Sequence, residues 1–256
     1  MTAAAASTNG PAQVRAAGRQ MAAILGLSGS PVGVRLLAPG QPRPPEAAPL
    51  RQHRYCQALM KARRGQSVTL DAEGLSCPAA AAAFGFKPLP EGLATGKGLV
   101  GFGIAVEASV GAAMFSGMPR LEPGQVGTLH LFPLDASLQE PDVVIVEDEV
   151  EKLMWIALAY LNATGGQRLI GSTAILQATC VDSTIVPVLE NRLNYGYGCY
   201  GCREATDLAP GEAVLGFPGP LLPALLSNLE LLGGKAIANS RAKKPWKALA
   251  GAEAGA

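Results

Sequence analysis

The stretch Asp142-Val-Val-Ile-Val146, running straight into Glu147–Asn162, limits the fold more than any other part of the chain. Consecutive β-branched residues leave no polar face, the mark of a strand covered on both sides. The segment behind it places Met154, Ala157, Leu158 and Leu161 at helical spacing. Its first turn holds Glu147, Asp148 and Glu149, where a helix dipole alone accounts for acids. A doubly buried strand feeding an amphipathic helix requires helices against the sheet. The expected class is therefore α/β, a mixed sheet with flanking helices.

The other segments fit that frame. Gln13–Leu25 and Arg51–Arg64 have helical spacing, and Leu221–Leu232 reads as a final amphipathic helix. Pro31–Leu37, Ser67–Leu70, Gly127–Pro133, Thr173–Cys180 and Ala213–Pro218 read as strands, with a further strand at Leu99–Val106. Short helices are expected at Gly111–Met118 and Asp182–Leu189. A helix, a Gly-Gln turn (Gly65-Gln66, Gly166-Gln167), a strand and a cysteine (Cys77, Cys180) occur twice. That echo suggests two similar halves. The organisation expected is a disordered tail over residues 1–11, one α/β domain over 12–234, and a basic, then Ala/Gly-rich, frayed tail over 235–256.

Composition narrows the function. A chain of 256 residues buries roughly 70–75% of its unfolded surface and needs no staples. Twenty-one basic and 20 acidic residues leave no concentrated basic face, which argues against nucleic acid and membrane surfaces as partners. The amino terminus lacks the basic and apolar regions of a signal peptide, and no run of about 18 apolar residues occurs. These features point to the cytoplasm. Only His53 and His130 are present, so a His-rich metal site is disfavoured; His53 reads as a surface residue and His130 as a satisfied sheet histidine. The Gly-x-Gly-x-x-Gly match at Gly96–Gly101 lacks a preceding apolar strand, which disfavours a dinucleotide site.

Chemistry concentrates in the five cysteines. An odd number in a chain of this kind suits thiols or metal ligands rather than a disulfide framework. Cys199 and Cys202 form a Cys-x-x-Cys turn within Asn194–Arg203, where Gly196, Gly198 and Gly201 alternate with Tyr195, Tyr197 and Tyr200. Such a loop can turn two sulfurs onto one group. Cys77 precedes Pro78 and an alanine run, which places it at a helix amino terminus, where a thiolate is favoured.

The leading expectation is an iron–sulfur cluster of the 4Fe–4S type, with Cys77, Cys180, Cys199 and Cys202 as ligands and Cys56 competing with them. Backbone N–H groups around Gly198 and Gly201 would donate to its sulfides, Tyr200 and its neighbours would shield it, and Arg203 would offset its negative charge. A redox role follows, with a redox partner protein or a small-molecule substrate and an open oligomeric state. The same residues also allow a zinc-holding accessory module or a Cys199/Cys202 redox dithiol. Cys56 and Cys180 read equally well as buried apolar side chains.

Four landmarks occur in order: Tyr55-Cys56-Gln57-Ala58; Ser76-Cys77-Pro78 with Phe84-Gly85-Phe86; Thr179-Cys180-Val181-Asp182-Ser183; and Gly198-Cys199-Tyr200-Gly201-Cys202-Arg203. With them the chain, from about Val32 to Leu232, resembles the prokaryotic family called domain of unknown function 169. Pro78-Ala79-Ala80 departs from that family's pattern of a proline followed by glycines. The resemblance implies a cysteine pattern and no particular reaction.

Overall fold

A computed structural model describes residues 10–253. Of the tail expected over residues 1–11, residues 1–9 lie outside the described residues, and a helix already begins at Pro11. The helix α1 (Pro11–Leu25) opens with proline at its first position, where the missing N–H costs nothing. Next come β1 (Val32–Leu37), the short β2 (Ala48–Pro49), α2 (Tyr55–Arg63), β3 (Val68–Asp71) and α3 (Pro78–Ala83). Three small helices follow, α4 (Glu91–Ala94), α5 (Lys97–Gly101) and α6 (Ala108–Ser116). The chain returns through β4 (Thr128–Pro133), β5 (Val143–Glu149) and α7 (Val150–Ala163). A π-helical stretch (Ala178–Ile185) leads into α8 (Val186–Glu190), β6 (Asn194–Gly196), α9 (Tyr200–Ala205), β7 (Glu212–Pro218) and α10 (Leu222–Leu232). The last elements are a second π-helical turn (Gly233–Ile237), α11 (Ala238–Ala242) and α12 (Lys244–Glu253).

The seven strands form one open sheet in the order β2-β3-β4-β1-β5-β7-β6. Among the described residues β2 and β3 pair in parallel and the other strand pairs are antiparallel. Both faces are apolar. Val143, Ile145 and Val214 join one buried cluster with α2, α3 and the π stretch. Val144, Val146, Leu215 and Phe217 join another with α1, α7 and α10. The strand expected to be covered on both sides is β5, inside the sheet between β1 and β7, and its alternating side chains seed both layers.

Several expectations are corrected. Thr173–Cys180 is not a strand. Asn194 takes both backbone groups of Ser172, accepting from its N–H at 2.9 Å and donating to its carbonyl at 2.8 Å. The residue just before the segment is thus held by a side-chain amide instead of a strand, and Ile175 then turns through φ +62°. Cys180 consequently sits in the π stretch, and the echo of two halves loses its second strand. Leu99–Val106 is helical at its start, where the amide of Leu99 bonds the Gly96 carbonyl at 3.1 Å and opens α5. The helix after β5 begins at Val150, not Glu147, because β5 stays paired with β7 through Glu149↔Glu212. Residues from Lys235 to Glu253 are helical rather than frayed. The helical run Gly219–Ala250 is long and apolar enough, by length and composition, to meet a membrane-span criterion. Its leucines 222, 225, 229 and 232 are nevertheless buried against the sheet.

His130 is a satisfied sheet histidine, as its alternation predicts. Its ring lies between Ser67 Oγ at 2.8 Å and Gln139 Nε2 at 2.6 Å, and burial lowers its pKa to about 4. Gly216 on β7 is required by contact: a Cβ there would stand 1.8 Å from the Ser183 carbonyl oxygen of the π stretch. Glu147 shares the phase of Val143 and Ile145 and so points into the cysteine-bearing layer, 4% exposed, with neither carboxyl oxygen hydrogen-bonded. Arg63 lies 3.7 Å away but also serves Asp207 at 2.6 Å and Glu212 at 3.8 Å. Burial therefore dominates and lifts the Glu147 pKa to about 8.

Two outcomes follow. Gly216→Ala should lower the urea-unfolding free energy by about 3 kcal/mol or more, whereas Gly211→Ala, with nothing within 4 Å, should change it by less than about 1 kcal/mol. Because the folded pKa of Glu147 lies above its ordinary value of 4.5, the unfolded chain releases this proton first as pH rises. Stability should fall from about pH 4.5 to 8, and urea midpoints of Glu147→Gln measured at pH 5 and 8 should show a clearly smaller loss.

Candidate functional site

All five cysteines line one cavity of about 320 Å³. They reach it from four elements. Cys56 comes from the first turn of α2, Cys77 from the residue that caps α3, Cys180 from the π stretch, and Cys199 and Cys202 from the start of α9. Four are buried and Cys77 is half-buried; none is in a disulfide. Among the described residues, no three His, Cys, Asp or Glu side chains meet as a ready site for a metal ion. The sulfurs surround a shared space rather than converging on one point.

Local sequence explains each placement. Pro78 holds Cys77 in extended backbone at φ −77°, ψ 114° and starts α3 immediately after it. Burial raises the Cys77 thiol, while the amides of Ala80 and Ala79 and the Arg54 charge oppose that rise. Cys199 caps α9, its sulfur accepting from the Cys202 amide at 3.2 Å. The Cys199 and Cys202 sulfurs stand 2.8 Å apart, beyond the roughly 2.05 Å of a disulfide bond. A thiol hydrogen bond from Cys199 is the chief influence on Cys202 and pulls its titration well below the ordinary thiol range. Cys56 acts the same way, and Thr179 Oγ1 adds a contact at 3.6 Å. Cys199 and Cys56 are raised in return, chiefly by their hydrogen bonding to Cys202. Cys180 is raised by burial first, then by the charges of Cys77 and Cys202. Of the five, Cys202 is thus the sulfur whose surroundings favour the thiolate.

Tyr200 and Gly201 line the cavity as expected, Tyr200 on its exposed rim. Two other expected contributors do not. Gly198 turns the backbone at φ +83°, and a Cβ there would meet Leu208 at 2.5 Å, so its role is the turn itself. The Arg203 guanidinium donates to the carbonyls of Tyr197, Ala209 (2.9 Å) and Glu212 (3.0 Å). It ties the loop to the start of β7 and faces away from the sulfurs. Tyr195 belongs to the layer on the opposite face of the sheet, and Tyr197 is exposed.

The cation beside the sulfurs is Arg54, which sequence reasoning missed. Its guanidinium donates to the Gly201 carbonyl at 3.0 Å and to Glu204 at 2.7 Å, fastening α9 to α2. Gln177 was missed as well. It lines the cavity at 2% exposure, and its Nε2 has no hydrogen-bond partner. Nothing local in the sequence marks either residue, although each stands within three positions of a cysteine. The remaining wall is apolar and comes largely from the α4–α6 segment: Leu93, Leu99, Phe102, Ile104 and Phe115. Asp182 lies behind the cavity. Thr173 donates to its carboxylate, yet burial dominates and raises its pKa to about 6.

The profile of the family described as uncharacterised ArCR, DUF169, matches residues 20–228. The chain belongs to the DUF169 family. All four cysteine landmarks lie within the matched residues, and the structure brings their cysteines to one cavity. No curated protein and no solved structure matches the chain.

The thiolate assignment can be checked on metal-free, reduced protein. Ultraviolet thiolate absorbance at pH 6 should correspond to about one sulfur per chain. Cys202→Ser should abolish it, and Cys199→Ser should move its onset to higher pH.

Proposed function

We propose that this DUF169 protein holds an iron–sulfur cluster of the 4Fe–4S type in the cysteine-lined cavity and serves redox chemistry in a reducing compartment such as the cytoplasm. The observation that carries this reading is that five thiols from four separate elements line a single cavity. Structural cysteines have no reason to gather; packing alone would scatter them through both layers. A cluster distributes its ligands over several irons, so its cysteines surround a volume instead of meeting at one ion, which suits the arrangement here.

The residues fit such a group. The donors are thiols, and Cys202 is already favoured as the thiolate that ligation needs. Backbone amides face two of the sulfurs, those of Cys199 and Cys77, and supply the hydrogen bonds that tune a cluster's potential. Arg54 places a positive charge near Cys56 and Cys77. The apolar α4–α6 wall keeps bulk water from the sulfurs. When bound, the group supplies one-electron transfer, since four cysteines leave none of its irons open. Cys77, Cys180, Cys199 and Cys202 are the ligands in this reading, and Cys56 is the spare that shares a proton with Cys202.

One observation favours a second reading. Cys199 caps α9 2.8 Å from Cys202, the disposition of a reversible dithiol, in which a thiolate attacks and a neighbouring thiol resolves.

Iron, acid-labile sulfide and zinc measured on anaerobically purified protein separate the readings. About four irons and four sulfides per chain are expected, with a broad visible absorption. Serine at Cys77, Cys180, Cys199 or Cys202 should cost most of the iron, and Cys56→Ser should keep it. A protein that takes up no iron after anaerobic reconstitution, but titrates reversibly as a two-electron Cys199/Cys202 couple, would replace the cluster with the dithiol.

A further inference from the structure

The cavity has more wall than the sulfurs account for. Leu93, Leu99, Phe102, Ile104 and Phe115 line it without offering a ligand to any metal. These residues come from α4, α5 and α6 and the turns beside them, helices that pack chiefly on one another. Phe102 is 67% exposed at the rim, an arrangement that leaves the space open on one side.

Against this apolar wall stands one orphaned polar group. Gln177 is 2% exposed, lines the same cavity, and its Nε2 donates to nothing in the protein. A buried amide N–H₂ left unpaired costs about 1–3 kcal/mol, so a donor kept there calls for an acceptor supplied by what enters the cavity. Its backbone is well engaged: the Gln177 carbonyl accepts from the Val181 amide at 2.9 Å and the Asp182 amide at 3.1 Å, which seats the residue at the start of the π stretch. The residue is thus anchored on a rigid element at the cavity wall.

Charge selects among acceptors. Among the described residues Arg54 is the one cation lining the cavity, and it is already paired with Glu204, which lines it too. An anionic ligand would meet the Glu204 carboxylate without a free counter-ion. A neutral acceptor such as a carbonyl oxygen meets no such opposition.

We propose that the cavity is a binding site for a small, uncharged, mainly apolar organic molecule whose carbonyl-type oxygen accepts from Gln177 Nε2 while its apolar body lies against Leu99, Phe102, Ile104 and Phe115. This rests on the cysteine cavity being the functional site and deepens it by adding a substrate class. It does not depend on which metal, if any, the sulfurs hold. Gln177 is a binding residue in this assignment.

The probes are acetophenone and ethylbenzene, which share a ring and a two-carbon arm and differ in the carbonyl. Binding is read by ligand-observed NMR on wild-type protein, as purified anaerobically and again after metal removal. Acetophenone should bind roughly fivefold more tightly than ethylbenzene, the worth of one net hydrogen bond. Gln177→Met should erase that preference while leaving ethylbenzene binding and the iron and sulfide content unchanged. Phe115→Ala should weaken both probes alike. Failure of either probe to bind wild-type protein in both forms, or equal binding of the two, would overturn the proposal without any variant having to fold. So would a preference that persists in Gln177→Met. Loss of iron from Gln177→Met would assign the amide to the metal group instead, overturning the ligand proposal and leaving the cluster reading intact. Wild-type protein that holds no iron yet prefers acetophenone would do the reverse.

Discussion

The contact between Gly216 and the Ser183 backbone sets the position of everything on the cysteine-bearing face. It lets the π-helical stretch lie directly on β7, with no side chain between backbone and backbone. Cys180, Thr179 and Gln177 then reach the cavity from one rigid element. The wider turn of a π-helix re-aims side chains relative to an α-helix and recurs at functional sites. Tyr55 of α2 reinforces the seat, its hydroxyl 2.9 Å from Thr184 Oγ1. The neighbouring Cys56 is thereby brought over the same stretch.

The sulfurs behave as a group because they are buried as a group. In water each thiol would titrate near its ordinary value. Within this layer Cys199, Cys56 and Thr179 donate to Cys202 and draw its titration below the ordinary thiol range. A second thiolate would add like charge at close range in a poorly polarisable space, so the remaining thiols stay protonated. Cationic metal centres would relieve that repulsion. This is the physical sense in which a set of thiols around one space favours a metal group over five independent side chains.

Glu147 and its partners show how the layer is closed from below. Arg63 links α2 to the end of β5 and to Asp207 and Glu212 beside β7. One cation shared by three carboxylates leaves the most buried acid neutral. The network joins the strands that flank the site without bringing a second cation into the cavity. Arg54 plays the matching part above, tying α9 to α2 through Gly201 and Glu204.

Local patterning was enough for the sheet. The β-branched run of β5, the alternation around His130 and the periodicity of α1, α2 and α10 are properties of neighbouring residues, and each is legible in order along the chain. The cysteines were legible as candidates because their residue type and the Cys-x-x-Cys spacing carry chemistry. Their meeting in one cavity was not, since it depends on contacts between segments more than a hundred positions apart. Thr173–Cys180 alternates like a strand, but Ile175 turns the backbone through positive φ and the chain winds into a π-helix from Ala178. Arg203 looked like the cation for the site because it adjoins Cys202, yet backbone carbonyls claim it, and the cation beside the sulfurs is Arg54 from α2. Gln177 is silent in sequence because an unpaired amide is defined only by what surrounds it. Sequence by itself determined the class of fold and the residue types able to do chemistry, because both follow from short-range pattern. Tertiary structure alone decided which of them share a cavity, which carries the charge and which polar group is left without a partner, because burial and pairing arise only when distant segments pack.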